Sequence, residues 1–278
     1  AKAFDLTVAA TGLPAKRLKQ WDIDYQSVTI HPNDHAGYYP GATPLTLKLV
    51  FSPTDGRIFG AQIVGRSGVD KRIDEIALAI KHHDTIYDLM ALEQAYAPPF
   101  SSAKDPVAMA AYVAENVLTR MQPLYWRELR DADPSAVTLL DVRTELEFGL
   151  GSLPGAVNIP LDDLRNRLDE LPADKPIFVF CGVGLRGYLA SNILQLNGFT
   201  DVRNLVGGLK GSHCHVARTR PLCLLCAGSE VRTAHSGGSD AARCSPRIAP
   251  SRCLRTFLSG TNHETQKQTR QHGARSKS

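Results

Sequence analysis

The stretch PIFVFCGVGLRGYLASNILQLNG, residues 176–198, constrains the fold more than any other. Ile177, Phe178, Val179 and Phe180 form an unbroken apolar run. A strand with no polar alternation is covered on both faces, the condition of a strand inside a parallel sheet. The run ends at Cys181, passes through small residues, and opens into a helical pattern that begins near Gly187 and stops at Gly198. Strand, tight loop and helix in that order is the unit of an α/β sheet.

The neighbouring segments repeat the alternation. VTLLDV reads as a buried strand, GAVNIPL as a short one, LDDLRNRLDEL as an amphipathic helix and VRNLVGG as a last strand. Residues 122–211 are therefore expected to form a small α/β domain with a parallel sheet.

Residues 1–121 follow another pattern. YQSVTIHP (25–32) has strand character. PLTLKLVF alternates Leu45, Leu47 and Leu49 against Thr46 and Lys48, the period of a half-buried strand. Asp55-Gly56 is a turn signal, and RIFGAQIVG returns, which predicts a hairpin. Ile73, Ile76, Ala77 and Ile80 share a helix face; YDLMALEQAY reads as a short helix, and a third starts at Pro106, where the first helical turn tolerates proline. This is an α+β layout.

Residues 212–278 carry 11 Lys/Arg against 3 Asp/Glu and hold one Phe but no Tyr or Trp. They are expected to be disordered, because they offer too little apolar surface to offset ordering entropy. Their charge accounts for the net +4 of the whole chain, so the folded part has no basic surplus that points to nucleic acid. Cys223 and Cys226 form a C-x-x-C, yet no paired second set follows at zinc-finger spacing, and no metal site is expected. The composition change at Ser212 suggests a frame-shifted end, and the start AKAFDLTV, without Met or a signal-peptide layout, suggests a fragment. No apolar run approaches the length of a membrane span. Cys181 is the only cysteine before Cys214, which fits a reducing compartment and a cytoplasmic location.

The placement of Cys181 carries chemistry. Ligands of parallel sheets sit at the carboxyl ends of strands. Gly182, Val183, Gly184 and Leu185 leave backbone N–H groups free to turn inward as an anion nest. The following helix directs its positive end at the same point, and Arg186 adds a charge. All three favour a thiolate, a nucleophile that can also hold an anionic sulfur adduct.

LLDVR (139–143), ELEF (145–148), GSLPGAVNIPL (151–161), FCGVGLRG (180–187) and VRNLVGGLKG (202–211) resemble the ordered landmarks of a rhodanese domain. The resemblance implies sulfur transfer, with Cys181 as nucleophile and Arg186 as the second catalytic residue, the backbone of residues 182–186 as the cradle and Gly187 in the active-site loop. Related phosphatases have one more loop residue, with their arginine at the position of Gly187, so the shorter loop favours a sulfane sulfur over phosphate. Asp141 and Arg143 are expected to support the loop and the strand ends. The sequence departs from the pattern at Ser152, often His, and at Leu209, where an aromatic is common; neither is expected to touch the cradle.

FDLTVAATGL (4–13), HAGYYPGATPLTLKLVF (35–51), GRIFGAQIVGRSGVDKRIDEIALAI (56–80) and AYAPPFSSAKDPVAMAAYVAENVL (95–118) resemble the dimerisation domain of pyridine nucleotide-disulfide oxidoreductases, closest to coenzyme A disulfide reductases fused to a rhodanese. The resemblance implies a homodimer through 1–121, with Tyr38 and Tyr96 reaching the partner subunit's redox cysteine. It also implies FAD, with CoA or NAD(P)H, in a full-length enzyme whose amino-terminal FAD/NAD domains precede this chain. No G-x-G-x-x-G follows a strand, so none of these cofactors is expected to bind this chain stably. A small sulfur donor and a thiol acceptor complete the expected partners, without nucleic acid or membrane. The alternative reading is an inert rhodanese-like interaction or regulatory module on a dimerisation domain.

Overall fold

The computed structural model describes residues 1–212. The expected disordered tail, with its cysteines, lies outside the described residues.

The first sheet is antiparallel throughout. It comprises β1 (Lys2–Ala3), β2 (Leu6–Gly12), β3 (Gln26–Ile30), β4 (Thr46–Phe51) and β5 (Ile58–Gly65), in the order β1-β2-β5-β4-β3. The expected hairpin is β4–β5, with Leu47 opposite Ile63 and Leu49 opposite Ala61. At its turn the Ser52 carbonyl accepts from Gly56 N–H at 3.2 Å. The sequence reading did not assign β2, which lies beside β5 with Val8 opposite Val64.

Helix α1 (Ala15–Gln20) follows β2; α2 (Val69–His82), α3 (Ile86–Ala91) and α4 (Pro106–Thr119) follow β5. Leu47, Leu49, Phe51 and Ile63 pack with Ile73 and Ile76 of α2 and with Val107, Ala110, Ala111 and Ala114 of α4 in one core. Asp105 caps α4 by accepting from Val107 N–H at 3.0 Å, and its carboxylate also binds the fully buried Arg72 at 2.9 Å.

The second sheet is parallel throughout: β6 (Gln122–Leu124), β7 (Thr138–Asp141), β8 (Val157–Asn158), β9 (Ile177–Phe180) and β10 (Val202–Leu205), ordered β6-β10-β9-β7-β8. Its helices are α5 (Trp126–Asp131), α6 (Glu145–Gly149) and α7 (Leu185–Leu196). The central β9 divides its side chains by the two-residue period of a strand. Ile177, Val179 and Cys181 face a core that includes Ala190, Ile193 and Leu194 of α7. Phe178 and Phe180 face a second core with Leu124 and Leu205.

Two expectations are corrected. LDDLRNRLDEL is not an amphipathic α-helix; it forms two 3₁₀ turns, Leu164–Asn166 and Leu168–Glu170, with only Leu164 fully buried between them. Helix α7 begins at Leu185, ahead of Gly187, because Gly184 adopts φ 114° at the N-cap and lets the chain turn directly into the helix.

Side-chain hydrogen bonds tie the two domains together. Tyr125 Oη donates to Gln26 Oε1 at 2.7 Å and accepts from Ser27 N–H at 3.1 Å, and Tyr188 Oη donates to Asn116 Oδ1 at 3.0 Å. Burial raises the Tyr125 pKa, so the phenol remains a donor.

Candidate active site at the end of β9

Cys181 sits at the carboxyl end of β9, fully buried. The N–H of Gly184 donates to its Sγ at 3.2 Å. The loop is held from behind by the segment after β10: Leu209 N–H donates to the Cys181 carbonyl at 2.9 Å and Lys210 N–H to the Gly182 carbonyl at 3.0 Å. Leu209 therefore does touch the cradle, through its backbone, contrary to the expectation from its side chain. Gly208, at φ 54°, brings its backbone so close that an added Cβ would meet Cys181 O at 2.5 Å and Val183 N at 2.6 Å. Asn204 of β10 donates to the Gly184 carbonyl at 3.1 Å and fills the space over Gly187, where a Cβ would fall 2.2 Å from Asn204 Oδ1.

Asp141 and Arg143 build the neighbouring strand end. The buried Asp141 carboxylate accepts from Arg143 N at 3.0 Å and Nη2 at 2.7 Å, and from Ser152 Oγ at 2.6 Å. Arg143 Nη2 also donates to Gly151 O at 2.7 Å. Val142 N–H then donates to Phe180 O at 3.0 Å, so this polar knot lies one residue from the thiol.

Arg186 flanks the loop, 3.9 Å from where a Gly182 Cβ would stand. Its guanidinium forms a fork with Glu147: Nη1 to Oε2 at 2.6 Å and Nη2 to Oε1 at 2.7 Å. These bonds, foremost, hold the Glu147 carboxyl down at about 2; they also raise Arg186, with Cys181 a smaller contributor. Glu147 simultaneously completes the capping box of α6, accepting from Thr144 N and Oγ1 at 3.1 Å. Sequence reasoning missed Glu147 and Asn204 as site residues. The signal for Glu147 was present as Thr144-x-x-Glu147, a capping-box spacing; Asn204 carries no such local mark.

Tyr38 and Tyr96 come together from loops 58 residues apart, Oη to Oη at 2.8 Å. Both are exposed, at 76% and 50%. The bond to Tyr38 raises the Tyr96 pKa. Among the described residues no cluster of His, Cys, Asp and Glu could hold a metal ion, and no helix is long and apolar enough to cross a membrane.

The two sheets and the thiol loop define a known pair of domains. Residues 1–107 match the pyridine nucleotide-disulphide oxidoreductase dimerisation domain, and residues 124–213 match the rhodanese-like domain. The chain thus holds a dimerisation domain followed by a rhodanese-like domain, an order that matches the carboxyl-terminal part of disulfide reductases that carry a rhodanese domain. It is 49% identical to the solved reduced CoADR-RHD from Bacillus anthracis, with a TM-score of 0.73 over 76% of this chain and 38% of that one. It is 41% identical to an NAD-dependent persulfide reductase from A. fulgidus, with a TM-score of 0.67 over 74% of this chain and 37% of that one. The coenzyme A disulfide reductase of Staphylococcus epidermidis is 40% identical over 114 residues, 41% of this chain and 26% of its own length. The chain therefore spans about a quarter of the curated relatives it matches.

Proposed function

We propose that this chain transfers sulfane sulfur through a persulfide on Cys181, as the sulfurtransferase part of an FAD- and NAD(P)H-dependent disulfide or persulfide reductase. The observation that carries the reading is the Gly184 N–H aimed at Cys181 Sγ at 3.2 Å, at the carboxyl end of a central parallel strand. The Cys181 thiolate attacks the outer sulfur of R–S–SH. The S–S bond of the donor breaks, its electron pair leaves with the R–S group, which takes up the proton of the transferred SH, and Cys181 holds the sulfur as a persulfide anion. An acceptor thiolate then attacks that outer sulfur once it is protonated, and the Cys181 thiolate leaves. Atoms and electrons balance without an external oxidant. Backbone donors offset charge on sulfur in both steps.

The two folded domains are taken as 1–121 and 122–211, with 212–278 a separate tail. The first pairs with a second copy, and Tyr38 and Tyr96 present their phenols to that subunit's redox thiol. FAD and CoA or NAD(P)H bind the amino-terminal domains of the longer enzyme. The free Cys181 thiol suits the reducing cytoplasm.

The complete burial of Cys181 favours a second reading, a rhodanese-like module whose cysteine is inert. One experiment separates the two. The chain is treated with a small persulfide and its intact mass is measured. A gain of one sulfur atom that is absent in Cys181→Ser supports transfer; no gain supports the inert module.

A further inference from the structure

We infer that Glu147 sets the charge of the sulfur donor that Cys181 accepts: by closing both arms of Arg186 into a fork, it cancels the guanidinium charge beside the loop and disfavours donors that carry their charge next to the sulfane sulfur. The inference rests on the reading of Cys181 as the sulfur acceptor.

Three observations support it. Arg186 Nη1 and Nη2 each donate to Glu147, at 2.6 and 2.7 Å, so the guanidinium beside the loop carries a bound carboxylate as its counter-charge. The loop itself is apolar at its rim, with Leu185 64% exposed and Val183 partly exposed, and exposed Leu146 lies in α6, the helix that carries Glu147, with exposed Leu150 at its C-cap. The other cation on this segment, Lys210, contributes its backbone N–H to Gly182 O, while its ammonium charge acts on His31 of the first domain, whose pKa burial and Lys210 together lower.

With Glu147 bound to Arg186, the pair beside the thiolate has no net charge to offset that of an anionic donor. Thiosulfate brings two negative charges adjacent to the sulfur to be transferred, and like charges at close range repel. A persulfide on an uncharged carrier brings none there in its protonated form. The departing group follows the same rule: sulfite leaves thiosulfate as a dianion past an arginine already paired with Glu147, whereas a thiolate leaves as a monoanion that can be protonated. Glu147 is a specificity residue that acts through Arg186.

The test compares loading of Cys181 from thiosulfate and from 2-hydroxyethyl persulfide, read by intact mass against time. In Glu147→Gln the ratio of thiosulfate to persulfide rates should rise about tenfold, the low end of the range for association steered by a charged cleft. That gain should fall as salt rises, since screening acts on the freed charge. Thr144→Val removes the cap on α6 but leaves the fork; its ratio should stay at the starting value, which separates charge from structure. A further measurement needs no variant. In the unsubstituted chain, added salt should speed loading from thiosulfate, because it screens repulsion; a slowing would mean that Arg186 already reaches the donor and would overturn the inference. An unchanged ratio in folded Glu147→Gln overturns it as well. If neither donor loads the unsubstituted chain, the sulfur-transfer reading itself fails, and the inference fails with it.

Discussion

The antiparallel and parallel sheets use similar apolar residues and arrive at different kinds of working surface. In the first, β4 alternates, and one face packs on α2 and α4. Leu6 and Val8 of β2 and Val64 of β5 remain exposed on strands that pair with each other. In the second, β9 is buried on both faces, so only its carboxyl end is free to do chemistry, and Cys181 stands there. A sheet covered once offers a surface for another protein; a sheet covered twice offers an edge for a small molecule. The ion pairs follow the same division. Arg72–Asp105 is enclosed in the first domain and holds its α2–α4 packing, whereas Arg186–Glu147 lies partly exposed at the loop.

The comparison breaks first at the thiol. Cys181→Ser should abolish sulfur loading outright while the circular dichroism spectrum stays unchanged, because the replacement is near in volume and the two cores keep their packing. Residual loading at the starting rate would move the chemistry away from the end of β9.

The next largest effect is expected in the other sheet. Arg72→Leu strands the Asp105 carboxylate in the core, and breaking a buried pair from one side costs about 3–5 kcal/mol. Urea unfolding should show that loss at neutral pH, with sulfur loading retained in the fraction still folded. A loss below 1 kcal/mol by the same rough scale would place this pair with exposed ones.

Gly208→Ala tests the back wall of the loop. Its positive φ and the 2.5 Å approach to Cys181 O leave no room for a methyl group. Strain of this kind costs roughly 1–3 kcal/mol, and here it should displace the cradle, so loading falls more than stability does. Equal losses in both would show that Gly208 serves the domain's fold and not the loop.

Val8→Asp probes the open face of the first sheet. An apolar face of this kind favours self-association, and the charge should shift sedimentation from dimer towards monomer with loading from persulfide unchanged. A variant that remains dimeric would assign the contact to another surface.

The smallest effect is acid sensitivity at the loop. Glu147 falls from 4.5 to about 2 in the folded chain, so its contribution is complete above pH 4.5 and is lost as pH falls towards 2. The stability difference between the unsubstituted chain and Glu147→Gln, under about 1 kcal/mol for a partly exposed pair, should be flat above that window and shrink within it. A difference that grows on acidification would reverse the sign and remove the fork as its cause.

Much of this was legible in sequence because it is local. The unbroken run Ile177–Phe180 required burial on both faces, and the alternation in β4 required one. Asp55-Gly56 marked the hairpin, and the glycines after Cys181 marked a tight loop ahead of a helix. Strand β2 escaped because its LTVAATG pairs at an edge region and buries too little of either face to show a strong period. The segment LDDLRNRLDEL deceived because leucines spaced for a helix also suit two 3₁₀ turns that bury Leu164 and Leu171 and pack Leu161 and Leu168 against the same core.

What the tertiary structure alone decided is which distant groups meet at the thiol. Sequence placed a positive Arg186 next to Cys181; the fold brought Glu147 from 39 residues away to cancel that charge. It also brought Asn204 against Gly184, Gly208 against Val183, and Tyr38 against Tyr96. Local spacing dictates strands, turns and helix starts because backbone geometry repeats every few residues. The charge balance and the walls of a site depend on strand order, and β9 lies between β7 and β10 only once the whole sheet has assembled.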